Sequence, residues 1–261
     1  MYREDDYYYS SEEDTQKNEY EIMEYQSLEK QLEKKFGFIP SVYIDDDKYV
    51  VKSSLTNRNP IEFLEYTIKR NINTLIHFTK VNNLENILKY GLLSRSALDN
   101  KNIDYIPNDN DRLDNFKDAI FLSVTFPNYL LLEKFRNKYK AFDWGVILLY
   151  KDIIWEKECL YSNYNSANSY YSKQLHDHED YGKNNINYFK KFFREKHGGF
   201  ERGSKMPDNM PTNSQTEVIV FDKIEPRYIK GIHFENYIPK KLKKYKNYIK
   251  IKQSKKYFKE R

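Results

Sequence analysis

Five short apolar runs constrain this chain more than any other feature: Thr74-Leu75-Ile76, Ala119 to Val124, Trp144 to Leu149, Glu217 to Phe221 and Tyr228 to Phe234. They are rich in β-branched and aromatic residues and bounded by polar or turn-forming ones, which predicts strands buried in a sheet. Few helical patterns interrupt them. Leu84 to Tyr90 is closed by Gly91 at the C-cap position, and Tyr129 to Asn137 follows a Pro127-Asn128 turn. Strands with so few helices between them predict an α+β domain with a mixed or antiparallel central sheet. Residues 155–213 form a long, aromatic, Asn-rich stretch with one helical pattern, Asn185 to Lys196, before a core strand returns. Connections of that length inside a compact domain are usually functional.

A mean hydropathy of -0.91 would suggest disorder, but 25 Tyr and 16 Phe supply core material that disordered chains lack. With 261 residues, the chain is read as one large domain with appendages. Residues 1–72 form an N-terminal extension: an acidic start, a helix over 18–36 with Ile22, Leu28, Leu32 and Phe36 near one face, a β-like patch around 42–51, and a helix Ile61 to Lys69. Residues 73–236 form the central domain and 237–261 a basic tail. The ends are opposite in charge: residues 1–24 hold nine acidic side chains against two basic ones, whereas 237–261 hold ten Lys and Arg261 against Glu260. The acidic end reads as solvated. In the basic end Lys alternates with Tyr245, Tyr248, Tyr257 and Phe258. That mixture fits a polyanion met through charge and stacking, and equally an amphipathic segment packed on its own domain. No apolar run approaches the roughly 20 residues of a bilayer-spanning helix, so the expected location is the cytoplasm. Cys159 is the one cysteine. No disulfide framework and no Cys/His metal spacing follow from it.

Three places could carry chemistry. His77 and Thr79, two apart on a strand, share a face, and Asn83 follows one turn later. They are polar groups for a hydroxyl-rich ligand, or a core histidine satisfied by backbone carbonyls. Arg112, in Asp111-Arg112-Leu113-Asp114, is a forked donor for phosphate or a surface ion-pair member. Glu217 stands at the mouth of the apolar strand Glu217-Val218-Ile219-Val220, with Gln215 sharing its face. A half-desolvated carboxylate there suits bonding a sugar hydroxyl and accepting a proton, and a strand-edge Glu is the plain alternative. His176 and His178 lie in a polar loop without regular ligand spacing, so no metal is expected.

Taken together, these pieces resemble the DarT family of DNA ADP-ribosyltransferases, toxins of a bacterial toxin–antitoxin pair. The matching text is Ile76-His77-Phe78-Thr79, Asn83-Leu84, Gly91-Leu92-Leu93-Ser94, Asp111-Arg112-Leu113-Asp114 and Ser123-Val124-Thr125-Phe126-Pro127-Asn128-Tyr129. It continues with Ile154-Trp155-Glu156-Lys157-Glu158-Cys159, Asn165-Ser166-Ala167 and Pro211-Thr212-Asn213-Ser214-Gln215-Thr216-Glu217. The blocks run colinearly from about Asn73 to Phe234. The resemblance implies an ADP-ribosyltransferase fold, a split central β-sheet whose cleft takes NAD as substrate. It implies that His77, Thr79 and Asn83 hold the dinucleotide, that Arg112 is a catalytic residue that clamps a pyrophosphate or positions the base, and that Glu217 is the catalytic carboxylate. It also implies substrate-recognition residues within 155–216, Asn165 and Gln215 among them. Ser166 stands where the family has Ala, and Thr216 where it has a small residue.

By the same resemblance the reaction is mono-ADP-ribosylation of a nucleobase in single-stranded DNA. Breaking the ribose–nicotinamide bond develops an oxocarbenium-like cation, as in glycoside transfer. The blocks at 123–129 and 155–159 look closer to the guanine-modifying branch of the family, so guanine is the expected base. The implied partner is an antitoxin of macrodomain type that removes or blocks the modification, and no membrane is involved. Two further enzyme readings stand beside it: an ADP-ribosyltransferase acting on protein, since Gln-x-Glu also occurs in enzymes that target arginine, or one acting on RNA. The non-enzymatic alternative is a nucleic-acid-binding module run by the basic tail.

Overall fold

The computed structural model describes residues 60–108, 117–166, 184–197 and 199–260, and the backbone of 44–45 and 48–49. The chain divides into two compact units, Met1–Ser54 and Leu55–Arg261. In the first, Ile44 pairs with Tyr49 and Asp45 with Lys48, antiparallel. This hairpin falls within the β-like patch read from the sequence. The helix read over 18–36 lies outside the described residues.

The second unit is built on a seven-stranded mixed sheet. Its strands are β1 (Leu75–Lys80), β2 (Ala119–Val124), β3 (Trp144–Leu149), β4 (Cys159–Ser162), β5 (Glu217–Phe221), β6 (Ile229–Phe234) and β7 (Lys250–Gln253). Their order is β7-β6-β3-β1-β2-β5-β4. Only β6 and β7 run parallel; the remaining neighbours are antiparallel. Around the sheet stand α1 (Pro60–Lys69), α2 (Leu84–Tyr90), α3 (Arg95–Asn100), α4 (Tyr129–Lys138), α5 (Ile153–Glu156) and α6 (Ile186–Lys191). The α+β class with a mixed sheet agrees with the patterning, and the split in it with what the resemblance implies.

The split lies between β1 and β2. Their ladder holds only Leu75↔Val124 and Ile76↔Ser123. Beyond that pair β1 continues to Lys80 along β3, fully paired, while β2 runs along β5 from Leu122 to Ala119. The two halves of the sheet therefore part at Ile76 and Ser123, and a cleft opens between them. Two apolar clusters fix the halves. On one side Ile76, Phe126, Leu132, Phe135, Trp144 and Val146 pack with Tyr257 and Phe258; on the other Ala119, Leu160 and Ile219 meet. A third, aromatic group packs α1 and α6 on β4: Phe63 lies 5.8 Å from Tyr161 and 6.1 Å from Phe189, ring to ring.

Helix α1, placed in the extension of 1–72, belongs to the compact unit beginning at Leu55, because its apolar face is needed to cover Tyr161 and Phe189. The basic segment 237–261 is no detached tail. Gly231 to Phe234 pair with Lys250 to Gln253, and a Cβ at Gly231 would stand 2.5 Å from the Lys250 carbonyl oxygen. Lys241 and Lys244 reach Glu85 of α2 at 3.4 and 3.3 Å. The stretch read as a long loop contributes β4, whose four residues are all buried.

Candidate active site

The cleft between β1 and β2 has a free volume of about 230 Å3 and is lined by His77, Thr79, Asn83, Asn165 and Glu217 among others. Five of the seven residues singled out from the sequence thus come together. Arg112 lies outside the described residues, as do His176 and His178. Gln215 does not line the cleft. Its backbone N–H is turned to Asn213 Oδ1 at 2.9 Å, a tight turn that feeds the chain into β5.

His77 sits one residue past the last β1–β2 pair and spans the opening. Its Nδ1 lies 3.0 Å from the Phe121 carbonyl oxygen. A carbonyl only accepts, so Nδ1 carries the proton, and Nε2 of the neutral ring is an acceptor. Thr79 is 3% exposed. It accepts from Asn83 Nδ2 at 3.0 Å and donates to Asn108 Oδ1 at 3.3 Å.

Asn83 works mainly on the protein. Its Nδ2 also donates to the Ile106 carbonyl at 2.8 Å, and its Oδ1 accepts from the Ile106 N–H at 2.8 Å. Asn108 Nδ2 donates to the Phe78 carbonyl at 2.8 Å, Asn86 Nδ2 to the Asp104 carbonyl at 2.9 Å, and Lys80 Nζ to the Pro107 carbonyl at 2.7 Å. Residues 104–108 are thereby laid along β1 as one wall of the cleft. Lys80 itself is buried, with its ammonium 4.3 and 4.5 Å from the ring centres of Tyr139 and Phe142. That burial is tolerated because the charge is shared between a carbonyl and aromatic faces.

Glu217 opens β5 and is 7% exposed. Across the sheet it pairs with Ser162 of β4, and one register step beyond Val218↔Leu122 it stands beside Ser123, where the halves part. Its Oε2 accepts from the Ser166 N–H at 2.9 Å and from Ser166 Oγ at 2.6 Å. A buried carboxylate with two such donors is held in one direction, facing the cleft. Asn165 immediately precedes this clamp.

Patterning missed four further cleft residues. Asn128 caps α4 through Oδ1, accepting from Leu131 N–H at 3.2 Å, while its Nδ2 is buried without an acceptor among the described residues. Arg95, at the start of α3, is a lining residue. Asn108 and Ser166 complete the set. Only Asn128, as an N-cap after Pro127, carried a local signal. Gly91, φ 90°, closes α2 where a Cβ would come within 2.2 Å of the Ile224 carbonyl oxygen, so the helix end and the cleft wall beside it approach that backbone as only glycine allows.

The family model described as "ssDNA thymidine ADP-ribosyltransferase, DarT" matches residues 76–258. The chain belongs to the DarT family. That span holds the sheet from the first cleft residues of β1 to the last aromatic pair of the core, so the family is defined over the same elements that build the cleft. Three solved structures are similar. Thermosipho africanus DarTG in complex with ADP-ribose is 19% identical, with a TM-score of 0.46, over 71% of this chain and 50% of that one. This chain thus spans half the length of that relative. Thermus sp. 2.9 DarT in complex with NAD+ is 11% identical, with a TM-score of 0.40, over 71% and 97%. Thermus sp. 2.9 DarT in complex with ADP-ribosylated ssDNA is 12% identical, with a TM-score of 0.41, over 72% and 97%. No curated protein matches the chain. Among the described residues no helix is long and apolar enough to cross a membrane, and no group of three or more His, Cys, Asp or Glu could hold a metal ion.

Proposed function

We propose that this DarT-family chain transfers one ADP-ribose from NAD to a nucleobase of single-stranded DNA, with guanine as the target base, and that it acts as the toxin of a toxin–antitoxin pair. The observation that supports the chemistry best is the placement of Glu217: buried, clamped in one direction, and opening on the same cleft as His77 and Thr79. NAD, the donor substrate, suits this lining. Asn128 Nδ2 is a buried donor without an acceptor among the described residues, and Arg95, a lining residue, is a cation for a pyrophosphate. Bound there, NAD supplies an electrophilic ribose carbon and nicotinamide as the leaving group.

The residues divide the work. His77 Nε2 accepts a hydrogen bond from a ribose hydroxyl. Thr79 presents its hydroxyl at the same wall, and Asn83 holds that wall in place. Glu217 accepts the proton from the attacking base nitrogen as the new nitrogen–carbon bond forms and the bond to nicotinamide breaks. Arg112, four residues after Asn108 in sequence, is assigned to the pyrophosphate or the base. Asn165, beside the clamp, is assigned to the base edge, and Asn213 Oδ1 holds the Gln215 N–H in the turn before Glu217. An antitoxin of macrodomain type is the proposed partner.

For the base, support comes from the likeness of the blocks at 123–129 and 155–159 to the guanine-modifying branch, whereas the family description names thymidine. The test is direct: the protein and labelled NAD are incubated with oligonucleotides that each hold one test base in an inert homopolymer. Label on the guanine strand, and none with Glu217→Gln, is expected. Label on the thymine strand alone reverses the base assignment, and label on RNA or protein alone overturns the substrate class.

A further inference from the structure

Resting on that reading of Glu217, we infer that Ser166 is a positioning residue of the transfer reaction, orienting the carboxylate through its side-chain hydroxyl. Ser166 gives Glu217 Oε2 two donors at once, the backbone N–H at 2.9 Å and Oγ at 2.6 Å. The first is available to any residue other than proline. The second exists only because this position carries a hydroxyl, and its length is that of a charge-assisted bond from a hydroxyl to a carboxylate. The serine is 1% exposed, so it does not exchange this bond for water.

The loop that presents Ser166 is itself braced. Ser162 Oγ, at the end of β4, donates to the Tyr164 carbonyl at 2.7 Å. His197 Nε2 lies 3.0 Å from the Asn163 carbonyl, its ring stacked on Tyr164 with centres 5.8 Å apart, and Asn213 Nδ2 donates to the same carbonyl at 3.4 Å. A catalytic group is held to useful precision only when its supporting residues are fixed in turn, and this arrangement meets that condition with four residues from three segments. The hydroxyl bond favours the ionised carboxylate over the neutral acid. Among the described residues, the other titratable or charged groups at the cleft are His77 on β1, Tyr90 on α2, Arg95 on α3, and Asp104 and Tyr105 in the wall. Tyr164 and His197 stand behind the loop, and burial holds the His197 ring toward its neutral form. The cross-strand partner, Ser162, does not titrate in this range.

The test is Ser166→Ala in the full chain, assayed for transfer to single-stranded DNA over a pH series, with Ser166→Thr and Glu217→Gln in parallel. Ser166→Ala keeps the backbone donor and loses the hydroxyl. Expected are a fall in kcat of about tenfold, the size of a lost hydrogen bond to a charged group, a KM for NAD within about twofold of the parent, and an acid limb moved upward by about one pH unit. Ser166→Thr restores the limb. A merely structural serine would leave the acid limb where it was. If Ser166→Ala melts below the assay temperature, Ser166→Cys, nearly isosteric and a weaker donor, carries the same comparison. Glu217→Gln inactive with Ser166→Ala matching the parent in rate and acid limb overturns the positioning role alone. Glu217→Gln that still transfers overturns the reading of Glu217, and the role of Ser166 with it.

Discussion

Replacing Asn83 by Ala separates a ligand from a brace. The side chain makes three hydrogen bonds within the protein, to Thr79 Oγ1 and to both backbone groups of Ile106, at 3.0, 2.8 and 2.8 Å. Each contributes about 0.5–1.5 kcal/mol net, so truncation weakens the seating of residues 104–108 by about 2–3 kcal/mol. The loss is local, since the wall is held at its other points by Asn86, Lys80 and Asn108. With a tenfold change per 1.4 kcal/mol, opening of the wall becomes roughly 30- to 150-fold more frequent. Hydrogen exchange read by mass spectrometry on a peptide spanning 101–108 measures this. Exchange at Ile106, whose N–H is bonded to Asn83, should speed by that factor while the centre of β3 keeps its protection. NAD binding should weaken in step. If NAD affinity falls while exchange in the wall is unchanged, Asn83 contacts the dinucleotide directly and the brace argument is wrong.

Other outcomes follow from packing and charge. Phe258, 8% exposed in the cluster with Phe135 and Trp144, should lose about 3–5 kcal/mol of stability on replacement by Ala, read as a lower denaturant midpoint in the Trp fluorescence transition. His233, against the Tyr257 ring, has its pKa lowered to about 4 by burial and by Lys252, Lys256 and Lys250. Its folded pKa lies below the unfolded one, so the unfolded chain takes the proton first and stability falls as pH drops from 6.5 toward 4. Burial raises Asp152 to about 6, which acts in the opposite direction, so the readout is the difference in Tm between parent and His233→Phe across that window. Equal acid sensitivity would remove His233 from the account. Lys243, Lys246 and Lys252 are exposed on the basic segment and its strand. Changing them together to Gln should reduce the slope of log affinity for single-stranded DNA against log salt by about 0.7 for each phosphate left without its lysine, and an unchanged slope would show that the strand passes elsewhere.

What the sequence discloses depends on whether a segment's own residues carry its reason for folding. β3 carries no polar side chain, β2 and β5 are apolar but for Ser123 and Glu217, and the limits of all three are legible to the residue. α2 ends at Gly91 for a backbone reason visible in one letter. α3 reads as a polar turn because its burial is partial, although Ser94 caps it by accepting from Ala97 N–H at 3.2 Å. β4 is four residues of mixed type, Cys-Leu-Tyr-Ser, buried on every side by partners distant in sequence, so no alternation marks it. In β7 only Ile251 is buried, and the flanking lysines give it the texture of a tail. At the site, His77 and Thr79 follow from strand alternation and Glu217 from its position before an apolar run. The roles of Asn108 and Ser166 come from hydrogen bonds across 29 and 51 residues, which no local pattern encodes.

The parallel pairing of β7 with β6 carries a consequence for biosynthesis. Tyr257 and Phe258 fill the cluster that also holds Ile76, the residue at which the sheet parts. A growing polypeptide that has already made His77, Thr79 and Glu217 still lacks two of the rings that pack behind the first cleft strand. At roughly 5–20 residues added per second, the forty or so residues from Glu217 to Phe258 take about 2–8 s to emerge. Through that interval His77, Thr79 and Glu217 are all present on an unfinished scaffold. A ribosome that stalls before Tyr257 therefore releases a product that has these cleft residues and an incomplete core, a form open to proteases.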